Sequence, residues 1–225
     1  MKAGVQIGVG ILAVFASVVA SGDTPSVCGT LAGKEYSVSR TYLFFWPERE
    51  GDSWSGTTPK ITKCSDPVKS LVLEAYWPDM APAGKLNVYN DNDTRHIAVG
   101  VSTLELGAES DDLNLDELLK YLLRKANPQD VEAYPDRFGL SFYTGPDPSF
   151  AQLHTELYWK TDNSGKIKLL IQCIYGTKTT GVPCTLTTGA EQKGALIELR
   201  FNYLYLPSWN DVLKKSVELL GKIYR

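Results

Sequence analysis

Between Ile197 and Tyr205 the side chains alternate: Ile197, Leu199, Phe201, Tyr203 and Tyr205 fall on one side, Glu198, Arg200 and Asn202 on the other. A period of two is the repeat of a β-strand with one buried and one wet face. Such a strand needs paired neighbours and a layer that covers its apolar side. Similar segments recur. Val68 to Tyr76 reads as a strand closed by Trp77-Pro78-Asp79. Lys85 to Tyr89 and Arg95 to Leu106 read as a hairpin around Asn90-Asp91-Asn92-Asp93-Thr94, with Ile97, Val99 and Val101 on one face. Phe138 to Tyr143 and Leu153 to Trp159 form a pair across Gly145-Pro146-Asp147-Pro148, and Ile167, Leu169, Ile171 and Cys173 alternate after a turn at residues 162–165. The aromatic run Thr41 to Trp46 reads as a further strand ended by Pro47. Residues 23–40 read as an irregular arm and residues 48–60 as an exposed loop.

Two segments have helical spacing instead. Leu115, Leu118, Leu119, Leu122 and Leu123 follow the helical repeat between Asn114 and Lys125, with Asn114 as N-cap, Glu117 three residues on, and Asn127-Pro128 as the stop. After Pro207, Ser208 is placed to cap a terminal helix that turns Trp209, Leu213, Val217 and Leu220 to one side. With 43% hydrophobic residues there is enough apolar side chain for a core. The reading is α+β: a mostly antiparallel sheet system with a middle helix and a C-terminal helix packed on it. No Pro- or Ser-rich linker divides residues 23–225, which are read as one domain.

The first 22 residues are laid out as a secretory signal peptide. Lys2 supplies a positive start, Val5 to Val19 an apolar stretch, and Ala20-Ser21-Gly22 small residues for cleavage. The stretch is interrupted by Gly8, Gly10 and Ser17 and is shorter than a spanning helix needs, so no stable membrane insertion is expected after removal. Export favours disulfides, and the four cysteines are even in number. Four cysteines allow three connectivities. The local pairs Cys28–Cys64 and Cys173–Cys184 are the expected ones. A formal charge of −3 excludes a broadly basic nucleic-acid binder, because neutralising phosphates needs a cationic surface.

Chemical motifs are sparse. There is no GxSxG elbow, no HExxH, no phosphate-cradling glycine loop and no complete calcium loop, so no catalytic residue, metal or cofactor is assigned. His96 and His154 sit in strand patterns and read as structural or surface groups. Glu48 and Glu50, beside Trp46 and Trp54, are the carboxylates of the alternative reading, a secreted hydrolase acting on carbohydrate.

Three segments carry a family resemblance: Tyr42 to Trp54, Leu71 to Met80 ending Tyr76-Trp77-Pro78-Asp79-Met80, and Leu206-Pro207-Ser208-Trp209. They resemble exported proteins of Gram-negative bacteria encoded beside type VI secretion effectors. The resemblance implies a periplasmic immunity protein whose partner is a cognate effector toxin, a lipase or a cell-wall hydrolase. It implies an enzyme inhibitor rather than an enzyme. The expected partner-binding segment is Glu48, Arg49, Glu50, Asp52 and Trp54: Trp and Arg favour interface cores, and the acids complement a basic partner.

Overall fold

The structure, a computed structural model, describes residues 25–49, 63–84, 93–103, 114–124, 136–147, 150, 152–176, 181–190 and 195–225. Its strands are β1 (Ser26–Leu31), β2 (Lys34–Ser39), β3 (Glu48–Arg49), β4 (Pro67–Tyr76), β5 (Ala81–Pro82), β6 (His96–Thr103), β7 (Ser141–Pro146), β8 (His154–Thr161), β9 (Ile167–Tyr175), β10 (Pro183–Gly189) and β11 (Ala195–Asn202). Helix α1 (Leu115–Leu123) lies between β6 and β7, and α2 (Trp209–Ile223) follows β11 through a 3-10 turn, Tyr203–Ser208. One hydrogen-bonded sheet runs in the order β2-β1-β4-β6-β11-β10-β9-β8-β7, with the short β3 and β5 both paired to β4. Among the described residues every pairing is antiparallel except β1 with β4. The fold class is therefore the α+β arrangement that the sequence pattern implies.

The register explains the core. Leu73, Val99, Leu199, Leu186, Ile171, Tyr158 and Phe142 stand opposite one another in a row across the sheet. All but Phe142 are fully buried. They join a cluster with Trp209, Val212, Leu219, Leu220 and Ile223, so α2 covers this face. Side chains one residue out of step point the other way: Tyr143, Leu157 and Leu170 pack with Leu115 and Leu119 of α1. The two helices thus lie on opposite faces. Each fully buried Leu, Val or Ile contributes about 1.5–3 kcal/mol relative to exposure.

Several local expectations are corrected. Residues 26–39, read as an irregular arm, form the β1–β2 hairpin. Its two-residue turn is Ala32-Gly33, both with positive φ (49° and 77°), the geometry that matches strand twist. Alanine there hid the signal, since Asn-Gly or Asp-Gly is the usual mark. Gly29 hid it too, and the structure shows why glycine is needed. A Cβ at Gly29 would lie 2.9 Å from the Tyr36 ring, which crosses it from the partner strand. Ala32→Asn is expected to stabilise the fold by about 0.5–1 kcal/mol, because Asn tolerates the left-handed conformation that Ala adopts only with strain. A shift in urea midpoint at constant slope checks it.

The aromatic run Thr41 to Trp46 is not a strand. A 3-10 turn at Arg40–Tyr42 replaces its start, and Phe45 and Trp46 are exposed. Ser39 caps that turn through its hydroxyl, which accepts from the Thr41 N–H and removes the chain from the sheet direction. The period-two run of β11 stops at Asn202, whose Oδ1 accepts from the Leu204 N–H and opens the second 3-10 turn, so Tyr203 and Tyr205 leave the strand. Ser208 makes no side-chain cap bond to α2. The buried stripe of that helix is Trp209, Val212, Ser216, Leu219, Leu220 and Ile223, while Val217 is exposed. Strand β10 was not read from the sequence. The first arm of the expected hairpin, Lys85 to Tyr89, lies outside the described residues, whereas β6 falls within its second arm, Arg95 to Leu106. The α1 reading holds: Asn114 Oδ1 accepts from the Glu117 N–H at 3.1 Å. Phe138 sits in a turn with φ 61°, so the next strand begins at Ser141 and runs through Gly145 and Pro146.

The segment that follows α2 closes on the first hairpin. Tyr224 forms an antiparallel bridge with Tyr36, and the Arg225 N–H donates to the Glu35 carbonyl at 3.0 Å. This pairing covers part of the outer edge of β2, the kind of strand edge that otherwise invites association.

Candidate partner-binding surface

Of the expected partner-binding residues, Glu48 and Arg49 are described, and Glu50, Asp52 and Trp54 lie outside the described residues. Glu48 and Arg49 form β3 against the first half of β4. Glu48 Oε2 accepts from the Ser70 hydroxyl at 3.1 Å. Arg49 donates from Nη1 to Asp66 Oδ2 at 2.7 Å, with the guanidinium side chain only 14% exposed. The Lys63 N–H also reaches Asp66 Oδ2, at 3.3 Å. Arg49 therefore ties β3 to the turn that precedes β4 and presents little of itself to a partner. The carbohydrate-hydrolase reading places Glu48 on this short strand, and its second carboxylate, Glu50, is among the undescribed residues.

Immediately before β3 the chain exposes a run of aromatic rings. Phe45 is 68% and Trp46 41% exposed. Phe44 and Phe45 meet edge to face at 4.5 Å, and the Arg40 guanidinium lies over the Trp46 ring at 4.7 Å. Arg40 also donates to the Leu43 carbonyl within its own turn. The turn is fixed from outside by the Tyr42 hydroxyl, which donates to the Met80 carbonyl at 3.0 Å, and by the Gly84 N–H, which donates to the Thr41 carbonyl at 3.0 Å. The sequence showed these rings and assigned them to a strand. A 3-10 turn leaves no sheet face on which to bury them.

Both disulfides are formed as expected from sequence locality. Cys28 bonds Cys64 from β1 to the turn before β4, and Cys173 bonds Cys184 across the paired strands β9 and β10. Cys173 and Cys184 are fully buried. The two histidines make structural contacts. His96 Nε2 lies 2.5 Å from Glu74 Oε2, and His154 Nε2 lies 3.1 Å from the Thr144 hydroxyl with its ring 5.5 Å from that of Tyr175. The Trp77-Pro78-Asp79-Met80 segment packs on α2: Lys215 Nζ donates to the Pro78 carbonyl at 2.9 Å and lies 4.9 Å from the centre of the Trp77 ring.

One polar cluster was not foreseen. Glu156 is buried on β8 beside Tyr158, whose hydroxyl donates to its Oε2 at 2.5 Å. Arg137 Nη1 lies 3.6 Å from Glu156 Oε1, Nη2 donates to the Tyr203 hydroxyl at 3.3 Å, and the guanidinium sits over Phe138 and Phe142. Burial, and then hydrogen bonding to Glu156, push the Tyr158 and Tyr175 hydroxyls far above the ordinary tyrosine range, so both remain protonated. The available signal was a lone glutamate at an inward position of a strand, on the same side as Tyr158. Among the described residues no group of His, Cys, Asp or Glu is placed to hold a metal ion, and no helix is long and apolar enough to cross a membrane.

Tyr36 adds a pH dependence. Burial above all pushes its hydroxyl up to about 12, with Arg49 opposing and Tyr224 adding to the rise. The folded value lies above the unfolded one near 10. The neutral buried ring therefore stabilises the fold fully below pH ~10, and that contribution is lost as pH rises toward ~12. The hydroxyl has no hydrogen-bond partner among the described residues. Tyr36→Phe is therefore expected to leave stability at neutral pH within about 0.5 kcal/mol and to flatten the alkaline fall. Urea midpoints measured across that pH window, with tyrosinate absorbance alongside, check this.

The geometry defines an α+β fold built on one long sheet with a helix on each face. No protein-family model matches the chain, and no curated protein matches it in sequence. Among solved structures the fold is similar to that of Smlt3025, an immunity protein of the Stenotrophomonas maltophilia type IV secretion system. That alignment has a TM-score of 0.58 at 13% identity and covers 90% of this chain and 94% of the other. The Neisseria meningitidis iron-regulated outer membrane lipoprotein FrpD aligns with a TM-score of 0.41 at 14% identity, over 79% of this chain and 80% of that one.

Proposed function

We propose that this chain is an immunity protein that binds and neutralises a toxic effector of a bacterial secretion system. The observation that carries this reading is a fold shared over nearly the whole chain with a solved immunity protein. The sequence resemblance adds the finer assignment, a type VI effector with lipase or cell-wall hydrolase activity. The solved neighbour belongs to a type IV system. Both assignments rest on the same act, a stable complex with a toxin. Disulfides at Cys28–Cys64 and Cys173–Cys184 suit an oxidising compartment, which supports a periplasmic location. The leader through about Ala20 is removed on export in this reading. The segment Glu48 to Trp54 is retained as a contributor to the partner surface, through Glu50, Asp52 and Trp54 rather than the engaged Arg49.

Co-expression tests the reading. The protein encoded beside this chain, directed to the periplasm, is expected to arrest growth alone. Co-production of the exported immunity chain is expected to restore growth, and the two are expected to co-purify. Mass spectrometry of the co-purified chain is expected to start between Ala20 and Gly22. Absence of both rescue and complex overturns the proposal.

A further inference from the structure

We infer that the aromatic knuckle formed by Phe44, Phe45 and Trp46, with Arg40 stacked on it, is the anchor that enters the effector, in an apolar depression carrying a carboxylate at its rim. This rests on the effector-binding reading and assigns it a surface. Phe45 and Trp46 stand outside the core although they belong to an aromatic run that could have formed a strand. Two hydrogen bonds from neighbouring segments hold the turn beneath them, one from the Tyr42 hydroxyl to Met80 and one from Gly84 to Thr41, so the rings are presented on a rigid support. A rigid aromatic projection loses little conformational entropy on docking. Trp and Arg are the residue types that dominate binding energy at protein interfaces.

Charge identifies the partner's chemistry. Around the knuckle, Arg49 is paired with Asp66, and Glu48 is hydrogen-bonded by Ser70. Arg40 has no carboxylate within ion-pair distance among the described residues. Its guanidinium contacts are the Leu43 carbonyl and the face of Trp46. Arg40 thus offers a partner a cation at the knuckle, beside the exposed Glu48 carboxylate, which the Ser70 hydroxyl bonds without neutralising. A carboxylate on the effector would complete a charge-assisted contact with Arg40, and the convex Phe45–Trp46 edge requires a concave apolar counterpart.

The test measures affinity of the purified, exported chain for the protein encoded beside it. Phe45→Ala with Trp46→Ala is expected to weaken binding by at least about 30-fold, and Arg40→Gln by about tenfold with a smaller salt dependence. Leu204→Ala, which removes a side chain as exposed as Phe45, serves as the control and is expected to change affinity less than threefold. Hydrogen exchange on the unaltered chain gives a second readout that no variant can spoil by misfolding: amides of residues 40–46 are expected to be protected in the complex. If the natural chain binds and the double variant, melting normally, binds within threefold of it, or if residues 40–46 gain no protection, the knuckle is not the anchor and the effector reading stands. If the double variant keeps its affinity but loses sedimentation with phosphatidylethanolamine–phosphatidylglycerol vesicles, the rings serve a bilayer and the inference is overturned. If the natural chain does not bind the neighbouring protein at all, the functional reading fails and the inference with it.

Discussion

Trp209→Ala is expected to lower the free energy of unfolding by about 3–5 kcal/mol, the range for removing a buried aromatic side chain from a packed core. Trp209 is 8% exposed and opens α2. Its ring joins the cluster that covers the row from Leu73 to Tyr158, and its indole N–H donates to the Phe138 carbonyl at 3.0 Å. The substitution therefore opens a cavity under the first turn of the helix and releases a turn that also positions Arg137. Equilibrium urea unfolding checks it. A change below about 1 kcal/mol would mean that α2 is held by Val212, Leu219 and Ile223 without its entry residue.

Cys28→Ala combined with Cys64→Ala is expected to destabilise by about 4 kcal/mol. The chain-entropy estimate grows with the length of the closed loop, and this bridge closes a separation of 36 residues against 11 for Cys173–Cys184. The bridge fastens β1 to the turn holding Asp66, beside the parallel pairing of β1 with β4, the only one among the described residues. A parallel pair lacks a tight hairpin to set its register, so here a covalent tie and the hydrogen bond from the Thr30 N–H to the Asp66 carbonyl, 3.0 Å, do that work. The variant is expected to lose exchange protection first in β1 and β2, measurable as faster amide exchange at Val27 and Val38. Equal loss across the sheet would show that the first hairpin is not a separable unit.

Segments whose partners are generic were legible in the sequence, and segments whose partners are particular were not. The inward residues of β4, β6, β9 and β11 need only some apolar layer, and their period of two announces it. The same holds for α1, where the Leu spacing and Asn114 specify the element locally. The β1–β2 hairpin escaped notice because Gly29 and Ala32 make sense only once the Tyr36 ring and the turn dihedrals are seen. The run from Thr41 to Trp46 misled because strand propensity is chiefly fitness for a half-buried surface, and the sheet offers none there. Of the expected partner-binding segment the structure describes Glu48 and Arg49. Arg49 is spoken for by Asp66, which lies 17 residues away and could not be paired with it by pattern. Glu156 on β8 meets Arg137 in the turn before β7, a contact between segments that neither encodes alone.

The bridge between Tyr36 and Tyr224 has a consequence for the order of assembly. The two residues lie about 190 positions apart, so this contact closes a very long loop. Synthesis proceeds from the N-terminus, and the first hairpin is finished while its last edge contact is still unmade. Until residues 224 and 225 arrive, β2 carries an open edge that a second copy of the same hairpin could occupy. The closing pair acts as a latch, thrown long after the hairpin forms, that separates a chain with this edge covered from one still able to cross-pair. An insertion directly after Arg225 loads that latch, whereas one placed in an exposed turn such as Asp162–Gly165 leaves it free to close.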